Sequence, residues 1–109
     1  MDDALEEAAK ALERGEVPVG AVIVEASGDI IARAGNETRE RLDPSAHAEV
    51  LAIRKACDVL KTDRLVNCDI YVTLEPCAMC AGLIANARLR RIYFAASDPK
   101  SGGVQQGAR

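Results

Sequence analysis

The sequence has 109 residues, of which 49% are hydrophobic and 28% charged. This length accommodates one core, so we expect a single domain over residues 1–109. The formal net charge of −3 argues against a protein held to nucleic acid mainly by counterion release. Apolar runs fall well short of the roughly 20 residues of a membrane span. The N-terminus, Met1-Asp2-Asp3, is acidic, whereas a secretory signal peptide begins with basic residues. We therefore expect a cytoplasmic protein.

Hydrophobic periodicity predicts three helices and four strands. In the first helix, Leu5, Ala8 and Leu12 recur at spacings of three and four, and Gly15 ends it. Two β-branched runs separated by a turn then predict a hairpin. The elements follow the order α-β-β-α-β-α-β, over residues 2–14, 17–25, 30–34, 45–60, 69–74, 77–86 and 92–95. This order predicts an α/β fold with helices packed on a sheet.

Three residues form a candidate metal site: His47, which is the only histidine, and the pair Cys77 and Cys80. Imidazole and two thiolates are a common zinc donor set. The two cysteines are three positions apart where a helix begins, so their sulfurs share a face and the helix N-terminus favours the thiolates. His47 also lies near a helix start, and such starts gather at the carboxyl ends of strands. The three side chains are therefore expected to converge.

The remaining cysteines are poorly placed as a fourth ligand. Cys57 follows His47 by ten positions on the same predicted helix, roughly 15 Å along its axis. Cys68 precedes Cys77 by nine positions, mostly along an extended strand. We interpret both as buried, inert thiols. Three protein ligands and one open position are typical of a catalytic zinc rather than a structural one.

Glu49 is the candidate acid–base residue. On a regular helix, residues two apart point about 200° apart, so His47 and Glu49 reach one metal only if His47 lies in an irregular first turn. The upstream residues 43–45 are expected to cap that start. A carboxylate beside a zinc-bound water can take its proton and pass it to a leaving group. Without the zinc trio, Glu49 would be interpreted as a first-turn glutamate that complements the helix dipole.

One short stretch is basic, with Arg88, Arg90, Arg91 and Lys100. Such a stretch either contacts nucleic acid locally or is a solvated surface, and the sequence leaves both open.

The pattern His47-Ala48-Glu49 followed by Pro76-Cys77-Ala78-Met79-Cys80 resembles the signature of the zinc-dependent cytosine and adenine deaminases. Within this cytidine/deoxycytidylate deaminase superfamily, the chain looks most similar to the bacterial tRNA-specific adenosine deaminases. The resemblance extends over nearly the whole chain and is carried by residues 15–21, 46–49, 71–82 and 95–100.

The resemblance implies a cytidine-deaminase-like three-layer α/β/α fold with a central mixed sheet, one zinc ion per subunit and a homodimer. It also implies hydrolysis of adenosine to inosine at the wobble position of a tRNA anticodon loop, with His47, Cys77 and Cys80 as zinc ligands and Glu49 as the proton carrier. By motif position, Asn36, the backbone N–H of Ala48 and Asp98 would contact the substrate. Bases splayed from an RNA loop into pockets suit a protein of little positive charge.

The chain departs from that family in its length, because the fifth strand and the C-terminal helix are missing from the pattern. We therefore expect a C-terminally shortened form, for which single-stranded DNA is an alternative substrate. Two alternatives stay open: a deaminase of a free base or nucleoside such as guanine or cytosine, and a catalytically silent zinc-binding scaffold. The residues after the cysteine motif disfavour a cytidine deaminase, and Glu49 disfavours the scaffold.

Overall fold

The computed structural model describes residues 1–96. It contains three helices and four strands in the predicted order: α1 (Asp2–Glu13), β1 (Gly20–Glu25), β2 (Ile30–Gly35), α2 (Ala48–Leu60), β3 (Cys68–Val72), α3 (Ala78–Asn86) and β4 (Arg91–Phe94). No helix in this part of the chain has the length and apolar character needed to cross a membrane.

Two predicted boundaries are wrong by three residues, and both errors lie at turns. β1 begins at Gly20 rather than at residue 17, because the N–H of Val19 donates to the carbonyl of Val17 at 2.8 Å in a tight turn. α2 begins at Ala48 rather than at residue 45. Ser45 is held in a local turn instead, since its N–H and hydroxyl donate to Asp43 Oδ1 at 2.9 and 2.7 Å. The other boundaries differ by at most two residues.

The sheet is mixed, with strand order β2-β1-β3-β4. β1 is antiparallel to both β2 and β3, and β3 is parallel to β4. Ala21 of β1, for example, lies between Ala34 of β2 and Val72 of β3. β2 and β3 therefore run in the same direction and end at the same edge of the sheet. The helices that follow them, α2 and α3, begin at that edge, as the convergence of the metal ligands requires.

The helices cover the sheet in two layers. α1 lies against the face that carries Gly20 and Gly35, where the lack of side chains lets the helix backbone approach the strands closely. The alternate residues of β1, Ala21 and Ile23, point to the other face and pack with α2 and α3 in the main hydrophobic core. The architecture is therefore the three-layer α/β/α arrangement that the resemblance implied, with four strands among the described residues.

Candidate metal centre and active-site cavity

The structure brings the three predicted metal ligands together. His47 Nδ1 lies 3.5 Å from Cys80 Sγ and 3.7 Å from Cys77 Sγ, and the three donor atoms all lie within 4.8 Å of one another. His47 is the residue before the first turn of α2, and Cys77 occupies the same position before α3. Because both have extended backbone, their side chains turn back over the helix starts and meet at one point.

The donor geometry fits a tetrahedral zinc ion. Bond lengths of about 2.3 Å to sulfur and 2.0–2.1 Å to nitrogen place two ligands of one tetrahedral zinc about 3.6 Å apart, close to the observed separations. Cys80 is fully buried. Burial raises the pKa of its thiol, and the nearby charges of Glu49 and Cys77 raise it further. A divalent cation reverses that effect, so the chemistry of the donor set also fits a metal.

Glu49 lies beside this donor set. It occupies the first turn of α2 and is only 4% exposed. On a regular helix, side chains two positions apart would point about 200° apart. His47 has extended backbone and precedes the helix, so this restriction does not apply to His47 and Glu49. Burial raises the pKa of Glu49, while its own backbone N–H, the charge of His47 and a hydrogen bond with Cys80 act in the opposite direction. A buried carboxyl group therefore contacts Cys80, one of the three candidate metal ligands.

Asn36 and Ala48 form a hydrogen-bonded pair at the start of α2. Asn36 Oδ1 accepts a 2.8 Å hydrogen bond from the N–H of Ala48, and the N–H of Asn36 donates to the carbonyl of Val19 at 3.1 Å. The prediction that residues 43–45 cap α2 is wrong, because Asp43 is engaged with Ser45 and the cap comes from the loop after β2. No local sequence signal indicates a cap twelve positions upstream.

A cavity of about 240 Å³ joins these groups. It is lined by Val17, Val19, Asn36, Thr38, His47, Glu49, Leu74, Glu75 and Cys77. This volume lies below the range of drug-sized sites and suits one ring system with part of its attached chain. Five lining residues were not singled out from the sequence: Val17, Val19, Thr38, Leu74 and Glu75. Glu75 is 2% exposed. Its position directly before the Pro76-Cys77 motif was the sequence signal that could have identified it as a site residue. Asp98 lies outside the described residues.

Cys57 and Cys68 do not belong to the group of candidate metal ligands among residues 1–96. Cys68 is buried and Cys57 half-buried, both as free thiols. Burial raises the pKa of each, and nearby acidic groups add to it. Neither thiol is therefore poised to ionise.

The basic stretch is partly committed to the fold. Arg90 forms a two-pronged ion pair with Asp69, with Nε–Oδ1 and Nη2–Oδ2 distances of 3.0 and 2.9 Å. Arg88 and Arg91 are exposed, and Lys100 lies outside the described residues. One of the three described arginines is therefore a structural group.

Comparison with known proteins places this site in a family. Residues 1–96 match the family model of the cytidine and deoxycytidylate deaminase zinc-binding region. A tRNA-specific adenosine deaminase of Agrobacterium fabrum is 56% identical over the whole chain, which spans 71% of that protein. A solved structure from studies of A-to-I editing by tRNA:A34 deaminases has a TM-score of 0.96 at 56% identity, covering 100% of this chain and 78% of that one.

A guanine deaminase of Bacillus subtilis is also similar in structure, with a TM-score of 0.85 at 44% identity over 88% of this chain and 61% of the other. The match to the zinc-binding model, the fold and the His-Cys-Cys donor group agree with one another. The chain belongs to the cytidine and deoxycytidylate deaminase family, whose domain binds zinc.

Proposed function

We propose that the protein hydrolyses adenosine to inosine in RNA, at the wobble position of a tRNA anticodon loop. One observation carries the chemistry: a single cavity is lined by two of the three candidate metal ligands, His47 and Cys77, and by the buried carboxyl group of Glu49. The choice of substrate is supported by the tRNA-specific adenosine deaminases among the relatives.

Each group at the inner end of the cavity has a proposed role. His47, Cys77 and Cys80 hold one zinc ion, with a fourth position open to solvent or substrate. When bound, zinc supplies Lewis-acid activation of the attacking water. The Glu49 carboxylate takes a proton from that water as its oxygen bonds to C6 of adenine, and delivers it to ring N1. Glu49 then carries the remaining proton of the new C6 hydroxyl group to the amino group, the C6–N6 bond breaks as the C6=O bond forms, and ammonia leaves.

The substrate contacts are proposed for the inner wall, beside these groups. The Ala48 N–H, which the resemblance assigned to the substrate, donates to Asn36 Oδ1 in the described structure. We therefore propose that the Asn36 amide contacts the nucleotide and that the Ala48 N–H holds this amide in position. Asp98, outside the described residues, is proposed to lie beside the sugar-phosphate.

Conversion of adenosine to inosine in an anticodon stem-loop RNA tests the proposal. The zinc-loaded protein is compared with Glu49→Gln, which keeps the side chain's shape, and with Glu13→Gln, whose side chain is exposed at the end of α1. We expect Glu49→Gln to lower kcat by about 10²- to 10⁴-fold, the usual contribution of general acid–base catalysis. Glu13→Gln should retain the parent rate. Equal rates for the parent and Glu49→Gln would refute the role of Glu49.

Parallel substrates separate the alternatives. Turnover of single-stranded DNA of the same sequence, at a rate equal to that of the RNA, would mean that the protein does not select for ribose. Turnover of free guanine is the second candidate, supported by the similarity to a guanine deaminase, and it would replace the proposed substrate if it exceeded the rate with RNA. Bound zinc without turnover of RNA, DNA, guanine or cytosine would identify a silent scaffold.

We also propose that the protein is a homodimer. It would act in the cytoplasm, where tRNA is its nucleic-acid partner. Sedimentation equilibrium tests the oligomeric state, and a monomer at micromolar concentration would refute it.

A further inference from the structure

Glu16, which the reaction scheme does not use, has an unusually complete set of hydrogen bonds. It lies between α1 and β1 and is only 4% exposed. Its Oε2 accepts a 2.8 Å hydrogen bond from the N–H of Glu40, and its Oε1 accepts from the N–H of Arg39 at 3.1 Å and from the hydroxyl of Thr38 at 3.4 Å. One carboxylate thus binds three consecutive residues more than twenty positions away.

The loop that Glu16 binds is a short helical turn. The N–H of Arg41 donates to the carbonyl of Glu37 at 3.0 Å, and the N–H of Asp43 donates to the carbonyl of Thr38 at 3.0 Å. The first N–H groups of such a turn have no partner within it. Glu16 supplies that partner from another segment, and the charge of its carboxylate strengthens these hydrogen bonds.

Two arginines reinforce the connection in both directions. Arg14 Nη2 donates to the carbonyl of Asn36 at 3.2 Å, and Arg39 Nη1 donates to the carbonyl of Gly15 at 3.0 Å. Residues 14–16 therefore form a clamp on residues 36–40. Burial of the Glu16 carboxyl group raises its pKa, but the N–H groups of Glu40 and Arg39 outweigh that effect and lower it overall, so the carboxylate is charged at neutral pH.

The clamp lies behind the outer wall of the active-site cavity. Val17, next to Glu16, and Thr38, bound by Glu16, both line the cavity. Val17 is 51% exposed and Thr38 is half-buried, whereas Glu49 is 4% exposed. Exposure therefore rises from Glu49 towards Thr38 and Val17, which places these two residues nearer the mouth of the cavity. Part of the substrate beyond the reacting base has to pass between them.

Asn36 has its own connections to Val19 and Ala48, so the inner wall does not depend on Glu16. We propose that Glu16 is a positioning residue that holds the mouth of the cavity, through Thr38 and the N–H groups of Arg39 and Glu40, in the shape that accepts an RNA strand. This inference rests on the proposed function. Loss of Glu16 should weaken substrate binding while leaving the zinc donors and Glu49 in place.

The test compares the zinc-loaded parent with Glu16→Ala and Glu16→Gln, and with Glu13→Ala as the matched control from the exposed end of α1. On the stem-loop RNA, we expect Glu16→Ala to raise KM about tenfold, with kcat within about twofold and zinc content unchanged. Glu16→Gln keeps one acceptor oxygen and should show an intermediate KM. Glu13→Ala should match the parent.

Two further measurements make the outcome independent of turnover. Amide hydrogen exchange at residues 39 and 40 should be slow in the parent and fast in Glu16→Ala. Fluorescence anisotropy with the same RNA should show about tenfold weaker binding when Glu16→Ala is added to the inactive Glu49→Gln background. Unchanged KM, RNA affinity or amide exchange in Glu16→Ala would overturn the inference, as would a fall in kcat accompanied by loss of zinc. A parent that makes no inosine would refute the proposed function alone, because exchange and affinity still decide the role of Glu16.

Discussion

Gly20 controls how closely α1 packs on the sheet, and Gly20→Ala should be strongly destabilising. A Cβ atom at this position would lie 2.5 Å from the backbone N of Ala8 and 2.9 Å from Glu7 Cβ, and it would also meet the carbonyl oxygen of Ala4. Two of these three atoms are helix backbone, which cannot rotate away, so α1 as a whole must move. Overpacking of a well-packed interface typically costs 1–3 kcal/mol. We expect the upper end, about 3 kcal/mol, or about 15 °C in Tm for a chain of this size.

Gly82→Ala is the matched control for this prediction. Gly82 lies within α3, and a Cβ there would meet nothing within 4 Å. Alanine in a helix interior is favoured over glycine by roughly 0.5–1 kcal/mol, so this variant should be slightly more stable than the parent. Urea denaturation followed by circular dichroism, in saturating zinc, measures both free energies of unfolding. If Gly20→Ala lay within 0.5 kcal/mol of Gly82→Ala, the close approach of α1 to β1 would be refuted.

Three further predictions concern the cap, the metal and the ion pair between Arg90 and Asp69. Asn36→Ala removes the acceptor for the first N–H of α2 and should lower the free energy of unfolding by about 1 kcal/mol in urea denaturation while zinc content stays unchanged; loss of zinc would mean that Asn36 also holds the metal site together. Removal of zinc with a chelator should lower the urea midpoint, because a ligand at 1,000 times its Kd stabilises by about 4 kcal/mol; in Cys80→Ser the chelator should have little effect, and an equal effect would exclude Cys80 as a ligand. Arg90 holds the pKa of Asp69 below its usual value, so the stabilisation is complete above the unfolded pKa of about 4 and is lost as pH falls through the lower folded value. Asp69→Asn should therefore be less stable than the parent at pH 7, and the difference should shrink as pH falls below about 4; a difference independent of pH would contradict the role of the ion pair.

The group of candidate metal ligands was largely predictable from the sequence, because a few residue types at short spacings form it. Cys77 and Cys80 lie three positions apart at the start of one helix. His47 and Glu49 lie two positions apart at the start of another. Such short spacing places the residues of each pair at one helix start without knowledge of the rest of the chain. The element order was predictable for a similar reason, since periodicities of two and of about 3.6 residues are local properties.

The boundaries near the cavity and the wall residues were not predictable in the same way. Val17 belongs to an apolar run that is typical of a strand, yet it lies in a turn and lines the mouth of the cavity. Asn36 caps a helix that begins twelve positions later, and Glu16 binds N–H groups more than twenty positions away. These hydrogen bonds join segments that only the sheet brings together.

The amino-acid sequence by itself determined the donor set, the candidate acid–base residue and the class of fold. The tertiary structure decided which groups surround them: the distance between the sulfurs and His47 Nδ1, the burial of Glu49, and the clamp from residues 14–16 to residues 36–40. The physical reason is the range of the interactions involved. Helix and strand patterns depend on neighbouring residues, whereas burial, pKa shifts and the partners of loop N–H groups depend on segments whose proximity exists only after the strands have paired.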